Sequence, residues 1–225
     1  MKVTSKGKSI EVEKGSRFQD IVPLFQEQEE YPLLLAKVGS KIYELHKKVP
    51  EEDCEIEWIT IQNRIGLQSY QRSAVFMLLK AFFHHCKGVK GFNVTIDYTL
   101  GGGFYGYISG EQKLTTELLS KVKSTMQDYV KAEMPIMKRN VSTEEARKLF
   151  HRLGMHSKEQ LFRFRMTSRV NIYSLGNFQD YFYGYMLLNT SYITKFDLFP
   201  YGNGFILLLP KEDNPGELAE FRPMD

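Results

Sequence analysis

The chain has 225 residues, of which 42% are hydrophobic and 25% charged, and 30 Lys and Arg against 27 Asp and Glu give a formal charge of +3. This is the composition of a globular chain with one large or two modest domains, and the small basic excess permits contact with RNA phosphates without requiring it. No apolar run approaches the roughly 20 residues that span a bilayer, and the N-terminus lacks a signal-peptide core, so we expect a cytoplasmic protein with no membrane partner.

The first 61 residues are predicted to form strands around one helix. Alternating apolar residues around Gly7 predict a hairpin over 2–12. Ser16 is a candidate N-cap for the helix that follows, in which Pro23 indicates a short or kinked element. Further strands are predicted at 33–38, 42–45 and 54–61. The resulting ββαβββ unit is small for an independent core.

Longer helices alternate with strand pairs after residue 62. Helices are predicted at 69–86, 115–134, from the S-x-x-E capping box at Ser142 to 153, and at 157–164. Strands are predicted at 92–100, 104–108, 170–175, 195–199 and 205–209. The first helix is apolar nearly all round, which favours burial between layers. The tail over 211–225 is polar and contains two prolines, as expected at the start of a linker.

Two glycine-containing patterns resemble phosphate-binding loops. Residues 101–106 satisfy G-x-G-x-x-G after a strand, but another strand follows where the dinucleotide fingerprint needs a helix, which favours a hairpin turn. Residues 5–9 end like a Walker A motif but lack its first glycine and join two strands. Neither pattern predicts a nucleotide site.

The histidines and cysteines are too scattered to predict a metal site. Cys54 and Cys86 are too few for a disulfide framework and indicate reduced thiols. Adjacent residues on a helix, as in His84-His85-Cys86, cannot converge on one ion. The remaining histidines, which stand alone in sequence, are His46, His151 and His156.

Several segments, in order along nearly the whole chain, match one pair of domains. They are 36–42, 72–74, 103–105, 138–146, Lys158 with Leu161, and 180–190. Residues 1–61 resemble a TGS domain, and residues 62–210 resemble the second additional domain that follows it in threonyl-tRNA synthetases. The resemblance implies an α+β fold, with a ubiquitin-like β-grasp domain followed by a threonyl/alanyl-tRNA synthetase second-additional-domain-like domain and a linker start at 211–225.

The same pair of domains precedes a P-loop kinase of the uridine kinase type in a family of bacterial nucleoside kinases. Segments 70–73, 180–184 and 196–201 are more similar to that family. This resemblance implies a noncatalytic regulatory region whose partner is a kinase domain in cis beyond residue 225. ATP and Mg²⁺ would then belong to that domain, and this segment would hold no cofactor.

In the synthetase domain, two His four apart on a helix and a later Cys-x-x-x-His serve the hydrolysis of misacylated tRNA. The matching positions here are Gln71 and Val75, then Phe182 and Met186. None of these side chains is a general base, so we expect no catalytic residue and no metal. Chelator should accordingly leave the melting temperature unchanged.

Polar positions of the editing pocket persist, and they define a candidate ligand cleft. Its residues are Gln71, Ser73, Tyr105, Lys158 and Asp180. A small nucleotide is one expected ligand. The first alternative is a cleft that became packed core, filled by Phe182, Met186 and their tyrosine neighbours. The second is residual hydrolysis of a tRNA ester by a water held between Lys158 and Asp180.

Basic residues near exposed rings form a candidate RNA-contacting set. They are Lys138, Arg139, Arg163, Arg165, Arg169, Tyr181 and Tyr183. Such a surface would bind a structured RNA or the acceptor end of a tRNA through salt-sensitive phosphate contacts. A free-standing tRNA-binding or trans-editing protein is therefore the alternative to the kinase context. The sequence indicates neither the nucleoside nor the oligomeric state.

Overall fold

The computed structural model describes residues 1–163, 167–218 and 220–223. Over these ranges the helices α1 to α5 are Phe18–Phe25, Arg64–His85, Thr116–Lys131, Thr143–Arg152 and His156–Arg163. The strands β1 to β13 are Lys2–Ser5, Lys8–Glu11, Leu35–Val38, Lys41–Glu44, Cys54–Glu55, Glu57–Ile59, Asn93–Leu100, Gly103–Ser109, Ile136–Ser142, Arg169–Leu175, Phe178–Tyr181, Asp197–Tyr201 and Gly204–Leu208. Short 3-10 turns lie at Gln26–Gln28 and Thr190–Tyr192. This mixture of helices and small sheets confirms the α+β class. Among the described helices, none combines the length and the apolar character needed to cross a membrane.

The chain packs as two compact units. Unit 1 comprises Met1–Met134 with Tyr185–Asp225, and unit 2 comprises Pro135–Gly184. This grouping does not divide the chain at residue 61, since the N-terminal strands and α2 belong to the same unit. The domain boundary between 61 and 62 stays a prediction from resemblance.

The N-terminal part of unit 1 has two three-stranded sheets and α1. Their strand orders are β2-β1-β5 and β4-β3-β6. The hairpin and the short helix containing Pro23 are confirmed, and Phe18 and Phe25 on α1 pack against Trp58. The N-cap is Arg17, whose backbone N donates to Asp20 Oδ2 at 2.7 Å, and not Ser16.

The single strand predicted over 54–61 is wrong. Ile56 divides it into β5, which pairs in parallel with β1, and β6, which pairs antiparallel with β3. The break occurs because Ile56 turns its side chain into the core while its backbone N donates to Thr4 O at 2.7 Å. A buried side chain at this point thus sends the chain from one sheet to the other.

The rest of unit 1 is the antiparallel sheet β12-β13-β8-β7 with helices α2 and α3. Helix α2 begins five residues earlier than the predicted Ser69, because Asn63 caps it by accepting from the Ile65 N at 2.9 Å. The helix is buried as predicted, and the ring centroid of Phe82 lies 5.2 Å from that of Phe205 on β13. Residues 101–102 connect β7 to β8, which confirms the hairpin turn.

The first turn of α2 lies so close to the end of β6 that Gly66 has no room for a side chain. A Cβ there would sit 2.0 Å from the backbone O of Thr60. Although alanine normally favours a helix over glycine, we expect Gly66→Ala to lower the free energy of unfolding by about 1–3 kcal/mol through overpacking. Urea denaturation measures this, with Ser120→Ala at an exposed position of α3 as the control. Equal or greater stability of Gly66→Ala would contradict the close approach.

Unit 2 is the antiparallel sheet β11-β10-β9 covered by α4 and α5. The capping box is confirmed, since Ser142 Oγ accepts from the Glu145 N at 3.1 Å. The predicted fourth helix is α5, described to Arg163, and Phe164 lies outside the described residues. Strands β9 and β11 were not predicted, because β9 carries consecutive polar residues at 138–140 and β11 is only four residues long.

The described residues after 210 belong to unit 1 and contact its sheet, and the linker start at 211–225 stays a prediction. The ring of Phe221 lies 5.1 Å from Phe199 and 5.3 Å from Tyr201. The Arg222 N donates to Gly101 O at 3.2 Å, and Lys195 Nζ donates to the Gly216 carbonyl. Burial of an aromatic ring on the sheet holds the tail there, despite its polar composition.

Candidate functional site

Lys158 on α5 and Asp180 on β11 form a direct ion pair within unit 2. The Lys158 Nζ donates to both carboxylate oxygens, and Asp180 Oδ1 also accepts from the Tyr181 N at 2.7 Å. The Asp180 side chain is 2% exposed and that of Lys158 is 35% exposed. Burial raises the pKa of Asp180, and the Lys158 ammonium opposes that rise. The pair therefore ties α5 to the edge strand of its sheet.

This contact differs from the arrangement that residual hydrolysis needs. A water held between Lys158 and Asp180 would separate them, whereas Nζ touches both carboxylate oxygens directly. The carboxylate also has a backbone partner, so its accepting positions serve the fold. The geometry favours a structural ion pair over a general base with a bound water.

Ser73 on α2 is fully buried and satisfied by groups of unit 1. Its Oγ donates to Ser69 O at 2.8 Å and accepts from the Leu187 N at 2.9 Å. The Sδ of Met186, a matched metal position, lies 3.8 Å away and is buried. This part of the candidate cleft has the character of packed core.

The two remaining cleft residues are also in unit 1 and are partly exposed. The Nε2 of Gln71 lies 3.5 Å from Pro210 O, at the limit of a hydrogen bond. Tyr105 on β8 stacks on Tyr98 at 5.1 Å between ring centroids. Desolvation and then the neighbouring Tyr98 raise the pKa of Tyr105. With Lys158 and Asp180 in unit 2, the complete cleft stays a prediction.

Substitution of Ser73 distinguishes core from ligand site. We expect Ser73→Ala to lower the free energy of unfolding by about 1–3 kcal/mol, because the buried Leu187 N loses its acceptor. Urea denaturation without any ligand measures the change, and Ser124→Ala at an exposed position of α3 is the control. Unchanged stability would show that the Ser73 hydroxyl is dispensable for packing.

The candidate RNA-contacting residues divide between the two faces of the unit 2 sheet. In the register of β9 and β10, Lys138 opposes Tyr173 and Asn140 opposes Asn171, while Arg169 opposes Ser142. Alternation places these residues on one face, opposite the one whose Val141 and Ile172 pack in the core. We call Lys138, Asn140, Arg169 and Asn171 the basic face.

The basic face is internally ordered. Asn140 Nδ2 donates to Asn171 Oδ1 at 3.0 Å, and Arg169 Nη2 donates to Asn140 O at 2.8 Å. The Lys138 Nζ lies 5.5 Å from the centre of the Tyr173 ring. Asn140 and Arg169 are exposed, so donors held in place face solvent.

The other members of the predicted RNA set occupy different environments. Arg139 projects from the opposite face and its Nη1 pairs with Glu145 Oε1 at 3.1 Å. Tyr181 packs edge-on against Phe162, with ring centroids 5.2 Å apart. Tyr183 is 83% exposed and Arg163 is exposed. Arg165 lies outside the described residues.

A cluster that the sequence analysis did not connect lies where α4 meets α5. His151, His156 and Glu159 each offer one atom that can bind a metal ion, and these three atoms lie within 4.8 Å of one another. The Nδ1 atoms of His151 and His156 are 3.0 Å and 3.6 Å from Glu159 Oε2. The hydrogen bond with His151 is the largest cause that lowers the pKa of Glu159. The i,i+3 spacing of His156 and Glu159 was the available signal, but His151 joins them only through the helix–helix turn.

No protein-family model matches the chain. It is 28% identical over 199 residues to a threonine–tRNA ligase of Oleidesulfovibrio alaskensis, covering 88% of this chain and 30% of the relative. Threonine–tRNA ligase 1 of Bacillus subtilis is 30% identical over 84% of the chain and 29% of the relative. The threonine–tRNA ligase of Thermotoga petrophila is 30% identical over 164 residues, which cover 72% of this chain and 25% of the relative.

Over most of its length the chain is similar to threonyl-tRNA synthetases. It spans less than a third of the length of these relatives. The α+β architecture agrees with the β-grasp and second-additional-domain-like fold that the resemblance implies. At the positions matched to the editing residues, the chain carries Gln71, Val75, Phe182 and Met186.

Proposed function

We propose that this chain is a noncatalytic tRNA-binding region of the threonyl-tRNA synthetase type, which binds the acceptor end of tRNA through the basic face of unit 2. The observation that carries the proposal is the ordered, partly exposed set of donors on β9 and β10. Its two cations, Lys138 and Arg169, stand on adjacent strands of one rigid sheet. Rigid placement suits them to successive phosphates or sugar hydroxyls.

The chemical character of the face supports an RNA ligand. Phosphate contacts come from Lys and Arg, and Asn side chains add donors and acceptors that suit ribose 2′-hydroxyls. Tyr183, which is 83% exposed, is available for a base to stack on. The relatives are tRNA ligases by name, which supports tRNA as the class of RNA.

The residues support binding of tRNA without hydrolysis of its ester bond. The matched editing positions lack imidazole and thiolate groups, so they supply neither a general base nor a strong metal ligand. The Lys158–Asp180 pair is closed on itself, and Ser73 is engaged in the core of unit 1. A role in trans-editing is therefore less well supported than binding.

The nucleoside kinase context remains a second proposal. It rests on segments 70–73, 180–184 and 196–201, whereas the relatives described above support the tRNA function. A kinase domain in cis, with its ATP and Mg²⁺, and a cytoplasmic location belong to the same proposal. A G-x-x-x-x-G-K-[ST] motif between a strand and a helix in a protein sequence that continues beyond residue 225 would support it.

Salt-dependent binding of tRNA tests the proposed function. Labelled tRNA is titrated with the protein at 50 mM and 200 mM salt, with a DNA duplex of equal charge as competitor. We expect saturable binding that weakens as salt rises and resists the DNA competitor, because phosphate contacts release counterions and 2′-hydroxyl contacts distinguish RNA. Absence of saturable binding at 50 mM salt, or equal binding of DNA, would overturn the proposal.

A further inference from the structure

We propose that His151, His156 and Glu159 form a binding site for a divalent transition-metal ion of the Zn²⁺ class at the turn between α4 and α5. Two imidazoles and one carboxylate are a donor set that such ions take readily. The site lies wholly within unit 2. It is separate from the four positions matched to the editing residues, none of which contributes to it.

The two distances from Glu159 Oε2 are close to those around a single ion, and all three donor atoms lie within 4.8 Å of one another. At Zn–N and Zn–O bond lengths of about 2.0–2.2 Å, tetrahedral donors lie roughly 3.3 Å apart. Glu159 Oε2 already lies 3.0 Å from His151 Nδ1 and 3.6 Å from His156 Nδ1. Small side-chain adjustments would let the ion replace the direct contacts between these atoms.

The carboxylate is held by a second residue through its other oxygen. Glu159 Oε1 lies 3.6 Å from Arg147 Nη1, while Oε2 faces the two histidines. Arg147 is in turn fixed by Glu144, with its Nε and Nη2 bonded at 3.0 Å and 2.9 Å. Arg147 thus orients the Glu159 carboxylate through Oε1 and leaves Oε2 for the ion, as outer-sphere partners of metal ligands do.

Access and folding are compatible with reversible binding. The side chains of His151 and His156 are 66% and 74% exposed, and that of Glu159 is 14% exposed. His151 and Glu159 border an open surface depression of about 500 Å³. Three protein donors leave a coordination position for water. Since the ion would join only two short helices at the surface, folding does not depend on it, and chelator should not lower the melting temperature of metal-free protein.

Metal titration of the tag-free chain tests the site. Calorimetry with ZnCl₂ and visible absorption with CoCl₂ are carried out in a Cys54→Ser background, so that the partly exposed thiol does not compete. We expect one ion per chain, a tetrahedral Co²⁺ spectrum and a higher melting temperature with Zn²⁺. Affinity should fall at acid pH, because imidazole must be neutral to bind.

Variants identify the ligands. His151→Ala, His156→Ala and Glu159→Gln should each weaken Zn²⁺ binding at least tenfold, whereas His84→Ala, which removes an exposed histidine of α2, should not. Circular dichroism checks that each variant is folded. We expect the two histidine variants to fold, because both histidine side chains are exposed. Zn²⁺ binding that is absent in the parent chain, or equally tight in His151→Ala and His156→Ala, would overturn the proposal.

Discussion

Replacing Asp180 with alanine is expected to lower the free energy of unfolding by about 3 kcal/mol. Removal of one partner of a buried ion pair typically costs about 3–5 kcal/mol. The lower end applies here because the Lys158 side chain is 35% exposed and its ammonium can turn toward water. The Tyr181 N also loses its acceptor. Urea denaturation at neutral pH measures the change.

Two further variants separate the charge from the hydrogen bonds. Asp180→Asn keeps an acceptor for the Tyr181 N and should cost less than Asp180→Ala. Glu117→Ala removes an exposed i,i+4 pair with Lys121 and should change stability little. If Asp180→Ala is as stable as the parent chain, the ion pair does not stabilise the fold. A ligand-binding role for Lys158 and Asp180 would then be the better explanation.

Lys158→Met is expected to strengthen the fall in stability with rising pH to which Asp180 contributes. Burial raises the pKa of Asp180, and without the opposing ammonium the folded-state pKa rises further above its unfolded value. At Asp180 the folded state then binds more protons than the unfolded state, so the contribution of this group to stability is fully present at acid pH and is lost as pH rises through the folded-state pKa. Denaturation at pH 5 and pH 8 should show a larger loss at pH 8, relative to the parent chain.

The double variant Lys138→Gln, Arg169→Gln is expected to weaken tRNA binding at least tenfold at 50 mM salt. Glutamine keeps part of each aliphatic stem and removes the charge, together with the Lys138 ammonium near the Tyr173 ring and the Arg169 guanidinium that donates to Asn140. Loss of two phosphate contacts should reduce the slope of log K against log salt by about 1.5–2. Filter binding across a salt series measures both effects.

Arg139→Gln is the matched control for this pair. It removes a cation from the same strand, but Arg139 projects from the other face and pairs with Glu145. We expect its effect on tRNA affinity to be much smaller. If Arg139→Gln weakens binding as much as the double variant, the RNA does not use the basic face selectively, and general attraction to positive charge would explain binding.

Local patterns were sufficient for elements whose signals lie within a few residues. The hairpin around Gly7, the Ser142 capping box and the amphipathic α3 depend on turn, cap and periodicity rules that act along the chain. The rules failed where partners are distant in sequence. Strand β9 carries a charged run and is defined by pairing with β10, and the 54–61 segment divides because Ile56 enters the core.

The sequence by itself indicated a resemblance to threonyl-tRNA synthetases and predicted the loss of editing chemistry, because the identities of residues 71, 75, 182 and 186 decide which groups can bind metal or accept a proton. Only the tertiary structure decided how the polar side chains are used. The Lys158–Asp180 ion pair, the buried Ser73 hydroxyl and the His151–His156–Glu159 cluster depend on side chains from separate elements meeting within hydrogen-bonding range. Such distances follow from the packing of helices and strands. The spacing of residues along a single helix or strand does not predict them.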